Sequence, residues 1–176
     1  MLAAIFLAAC SHNYPNIDEC KSLVTLDLIC GLQNPEDFAK IPEEESLIIS
    51  QFPGLPELNN GITLSGKLSK LSLLSNKVTD YEISYLENND LGIGEEDCLP
   101  SKGSIYPHGI DIYEEFSAVG NALSPFVKES SLLAVVNHLE ISRIEFFLVF
   151  PEYVEFSDIN EPTLFWIGCV KAPEKN

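Results

Sequence analysis

Three short segments of this chain carry residue types that can do chemistry at the spacing they have. Cys30 to Phe38 reads CGLQNPEDF, with Glu36 and Asp37 following a proline. Neighbouring side chains of an extended segment point to opposite sides, so these two carboxylates address two different ligands, or one ligand and the scaffold. Carboxylate oxygens are hard donors that suit calcium, although an acidic pair after proline is also an ordinary turn signal. Tyr106-Pro107-His108-Gly109-Ile110-Asp111 sets a histidine between proline and glycine, where a constrained backbone can approach a ligand closely. Val135-Val136-Asn137-His138 ends an apolar run on a second histidine, and Asn137 is placed to fix a loop or hydrogen-bond its neighbour. Imidazole titrates near neutral pH, so either ring suits proton transfer from water, while a lone histidine is as a rule structural.

These residues need a scaffold, and the rest of the chain supplies short apolar or alternating runs separated by Pro, Gly, Asn and acidic residues. That pattern predicts strands rather than helices. The expected runs are Leu23 to Cys30, Ser46 to Phe52, Gly61 to Leu64, Leu71 to Leu74, Leu132 to Asn137, Ile144 to Phe150 and Thr163 to Val170. Asn59-Asn60-Gly61 and Glu161-Pro162 bound them as turns. The fold class expected is all-β. Asn88 to Lys102 and Glu114 to Ser130 interrupt the rhythm as surface loops, the second with room for a short helix over Phe116 to Leu123. Asp158 and Asn160 sit among turn residues and read as surface groups.

Against 10 Lys and Arg stand 27 Asp and Glu, a formal charge of -17 that repels phosphate backbones and anionic lipid. Nucleic acid is therefore not an expected partner. The opening run MLAAIFLAAC is too short to span a bilayer, and Leu7-Ala8-Ala9-Cys10 has the order of a bacterial lipobox. It predicts export, with cleavage before Cys10 and lipid on its thiol, giving a periplasmic or outer-membrane lipoprotein whose membrane contact is that anchor alone. The competing reading is a buried N-terminal strand. With Cys10 lipidated, Cys20, Cys30, Cys98 and Cys169 are an even number that permits disulfides, in a pairing the spacing leaves open. No CxxC spacing suggests zinc, and no nucleophile elbow, Walker loop or dinucleotide fingerprint supports another catalytic class.

In order, the NPED, PHGI and VVNH segments resemble the paraoxonase/arylesterase family, whose relatives include gluconolactonase-like and strictosidine-synthase-like propellers; the resemblance runs from Cys30 to Val170. It implies a six-bladed β-propeller with two calcium ions in its central tunnel and hydrolysis of small aryl esters or lactones. By the same resemblance Glu36 matches a ligand of the catalytic calcium, and Asp37 and the backbone carbonyl of Ile110 match ligands of the structural one. His108 and His138 match the histidine pair that activates water or orients substrate, so their rings are expected within about 10 Å of each other. A blade takes roughly 40 to 45 residues, so the chain is expected to form an open, partial propeller of about two to three blades. Residues 1–10 are then the signal and 11–176 the N-terminal part of the propeller. The family's remaining calcium ligands belong to later blades, so this stretch alone is expected to be inactive. A non-catalytic propeller acting as a binding or scaffold lipoprotein, and a truncated inactive gene product with unpaired strand edges, are the alternatives.

Overall fold

A computed structural model of the chain describes residues 28–54, 65–85, 93–102, 104–114, 130–138, 142–150 and 162–173. The chain divides into two units, Met1–Cys30 and Gly31–Asn176. Residues 28–30 of the first unit are not in a strand, so the run expected from Leu23 does not extend through Cys30. Cys10, the Gly61 to Leu64 run, the helix expected over Phe116 to Leu123, Asp158 and Asn160 lie outside the described residues.

Among the described residues the second unit is all-β, with nine strands and no helix. Strands β1 (Pro35–Lys40), β2 (Ser46–Gln51), β3 (Lys67–Ser72) and β4 (Val78–Asp80) form an antiparallel meander in sequence order. A second sheet contains β5 (Glu82–Tyr85), β6 (Pro107–Tyr113), β7 (Ser131–Asn137), β8 (Arg143–Val149) and β9 (Thr163–Lys171). Its order is β5-β9-β8-β7-β6: an antiparallel meander from β6 to β9, with β5 added in parallel beside β9. Neither sheet closes on itself, and the edge strand β1 packs beside the edge strand β6.

The alternation in β7 is regular: Ser131, Leu133, Val135 and Asn137 are buried and the residues between them half-buried. That period of two is what a sheet with one face on a core requires. One core runs through both sheets, with Ile48 and Leu68 from the first meeting Leu133, Phe147, Leu164 and Trp166 from the second. Each such side chain stabilises the fold by about 1.5–3 kcal/mol relative to exposure. The loop 93–98 lies against β9, with Glu95 N–H donating to Cys169 O at 2.8 Å and a Cys98–Cys169 disulfide. Here a Cβ placed on Gly168 would fall 2.0 Å from Ile93 O, so backbone meets backbone where a side chain would stand. Gly168→Ala is expected to cost about 2–3 kcal/mol, read as a lower urea midpoint at unchanged slope.

The runs placed at Ser46, Leu132, Ile144 and Thr163 each contain a strand within a residue or two of its expected ends. The Leu71 to Leu74 run is displaced: the strand is Lys67–Ser72, and Leu74 stands 85% exposed on the turn that follows. Lys70 hides this strand in the sequence. It is buried there because its ammonium meets Glu44 Oε2 at 2.6 Å, which meets the need of a buried charge for a partner.

Candidate functional site

Two irregular edges position the singled-out residues. In β1, Pro35 pairs with Gln51 and Asp37 with Ser50, so Glu36 is an extra residue that bulges from the ladder. In β6, Pro107 pairs with Asn137 and Ile110 with Val135, which puts one residue too many in the His108-Gly109 stretch. Bulges re-aim side chains and recur beside active sites. Proline is admitted in both strands because each stands at the first position of an edge strand, where its missing N–H costs no ladder bond.

Asp37 joins the two edges. Its Oδ2 accepts the Ile110 N–H at 2.9 Å, and its Oδ1 accepts the Phe38 N–H at 2.9 Å. Ser50, fully buried in β2, backs the same junction: its Oγ accepts the Asp37 N–H at 3.1 Å and donates to His108 O at 2.5 Å. Ile110 therefore reaches Asp37 through its amide, with its side chain in the core.

Three of the expected groups come together beyond this junction. Glu36 Oε2 lies 3.7 Å from His108 Nδ1, close enough for charge attraction and too long for a hydrogen bond. The His108 and His138 ring centroids are 4.5 Å apart at 84°, an edge-to-face contact. Phe52 covers another side of His108, with centroids 4.5 Å apart. His138 Nδ1 pairs with Ser142 Oγ at 3.0 Å, a contact that holds the ring and in which either atom can donate, according to the tautomer. Both imidazoles and Glu36 retain contact with solvent, so a small molecule can reach them.

The donors on β1 and β6 are oxygens, the kind calcium takes. Among the described residues no group of three or more His, Cys, Asp or Glu converges as a metal cluster, so a calcium shell here needs donors from elsewhere. Ser50, Phe52 and Ser142 escaped the sequence reading. A serine amid the apolar β2 run was the one visible hint, since a buried hydroxyl needs partners. No protein-family model matches the chain, and neither does any curated protein.

Proposed function

We propose that this chain is the N-terminal part of a six-bladed propeller hydrolase of the paraoxonase/arylesterase type, acting with calcium on aryl esters or lactones. One observation carries the reading: Glu36, His108 and His138, from three segments far apart in sequence, meet beside two adjoining strand edges. The β6–β7 pairing of Pro107 with Asn137 brings the two histidines together, and Glu36 reaches them from the other sheet. On this reading each four-stranded antiparallel meander is one blade, β1 and β6 are inner strands, and β5 is an addition to the outside of the second blade.

Glu36 would hold the catalytic calcium, and Asp37 with the Ile110 carbonyl the structural one; each ion takes about six to eight oxygens, the remainder coming from further blades. Calcium, when bound, supplies a Lewis acid for the ester carbonyl and the oxyanion. His138 takes the proton of the attacking water on Nε2 in the tautomer whose Nδ1–H donates to Ser142 Oγ. His108 and the Glu36 carboxylate beside it steady the positive charge that this creates. The proton then passes to the departing alkoxide or phenoxide as the carbonyl re-forms and the carbon–oxygen bond breaks. The Cys98–Cys169 disulfide suits an oxidising compartment, in line with export and a lipid anchor at Cys10.

The chain extended through further blades is expected to hydrolyse phenyl acetate or a lactone with calcium present and to stop when the ion is chelated. Full activity in excess chelator would overturn the proposal.

A further inference from the structure

We infer that Asn137 and Ser101 are positioning residues, the working end of a part-buried polar chain, Asn137–Ser101–Glu145–Arg143, that helps fix the edge-to-face contact of His108 and His138. Besides the Ser50 bond to His108 O and the Ser142 contact of His138 Nδ1, both histidines are tied to one residue, Tyr106. Its carbonyl accepts the His138 N–H at 3.0 Å, and its own N–H donates to Asn137 Oδ1 at 2.8 Å. Pro107, whose φ is locked, is all that separates Tyr106 from His108. Whatever holds Tyr106 therefore aims His108 along the chain and His138 across the ladder.

The polar chain determines how Tyr106 is held. Asn137 is completely buried, and Glu145 is only 2% exposed, so each must be satisfied internally. Asn137 Nδ2 donates to Ser101 Oγ at 3.1 Å, and Ser101 Oγ donates its single proton to Glu145 Oε1 at 2.8 Å. The same carboxylate oxygen lies 2.9 Å from Arg143 Nε, and Arg143 Nη1 donates to Leu99 O at 2.8 Å. A carboxylate paired with a guanidinium only accepts, so the Ser101 hydroxyl must point to Glu145 and offer a lone pair to Asn137. That polarity turns the amide so that its oxygen, and not its nitrogen, faces the Tyr106 N–H. The Cys98–Cys169 disulfide ties the Leu99–Ser101 segment to the end of β9, so the chain ends on a covalent anchor. Without the Ser101 hydroxyl, the Asn137 amide loses the partner that orients it, and Tyr106 loses a fixed acceptor.

The test uses the full chain, isotopically labelled, whose three histidines give a readable set of imidazole signals. The unaltered protein is expected to show a ring-to-ring nuclear Overhauser cross-peak between His108 and His138. Ser101→Ala is expected to lose it while the spectrum stays dispersed, and Ser101→Thr, which keeps the hydroxyl, to retain it. Asn137→Ala repeats the test if Ser101→Ala does not fold. A cross-peak of unaltered intensity in either folded alanine variant overturns the inference, as does its loss in Ser101→Thr. The consequence for rate rests on the proposed hydrolase reading: in the completed propeller Ser101→Ala should lower turnover about a hundredfold, the effect of a misplacement near 1 Å. The cross-peak needs no substrate, so its dependence on Ser101 without calcium-dependent hydrolysis would refute that reading alone.

Discussion

Replacing Cys98 and Cys169 together by alanine is expected to lower the unfolding free energy by about 4 kcal/mol, the entropy of closing so long a loop. The two cysteines are 71 residues apart, and the loop they close contains β6, β7 and β8. Other links between the 93–102 segment and the end of β9 do not replace the bond. Lys171 Nζ meets Asp97 Oδ2 at 2.6 Å, a hydrogen bond that holds the Asp97 carboxyl below its usual range, yet the pair is solvent-exposed and screened, so it contributes little to the fold. The Glu95 N–H to Cys169 O bond adds about 0.5–1.5 kcal/mol. Both sulfurs are buried, so alanine also leaves unfilled space in the core. Urea unfolding monitored by Trp166 fluorescence measures the loss; a midpoint within experimental error of the unaltered protein would refute it.

The strands that the sequence displayed are those with a face on the core. β2, β7, β8 and β9 present apolar or alternating runs because they lie inside their sheets, and their ends followed within a residue or two. The strands that carry the site were hidden by the features that make the site. Pro35, Pro107 and Gly109 read as breakers, and they stand in strands because β1 and β6 are edges with bulges at those points. Chemistry showed in residue type: Glu36, Asp37, His108 and His138 were visible as acid and imidazole groups. Their partners were not. Ser50, Ser101 and Glu145 act through bonds to residues far along the chain, and no local pattern encodes a contact between Ser101 and Glu145 or a disulfide across 71 residues. A lone glutamate in the apolar run RIEFFLV looks like a solvent-facing position, whereas it is buried against Arg143 and Ser101.

Glu36→Gln is expected to lower calcium-dependent ester hydrolysis by the completed propeller about 10²–10³-fold, the usual effect of removing a preorganised electrostatic group from a reacting centre. The substitution keeps side-chain shape and removes the charge, so it separates chemistry from packing. Glu36 is 39% exposed and its near ionisable neighbour is the His108 imidazole at 3.7 Å, so the fold should lose no more than about 0.5 kcal/mol. On the proposed hydrolase reading, two roles would fall together on this carboxylate: an oxygen for the calcium ion, and a counter-charge for the imidazole beside it when that ring is protonated. A glutamine keeps an oxygen but has no charge to attract the cation or to steady a protonated histidine. Calcium affinity, followed by titration calorimetry on the same variant, should therefore fall along with turnover. Raising calcium should recover the part of the loss due to the ion and leave the part due to His108. Unaltered kcat/KM in a folded Glu36→Gln protein would remove Glu36 from the mechanism, because neither role survives loss of the charge.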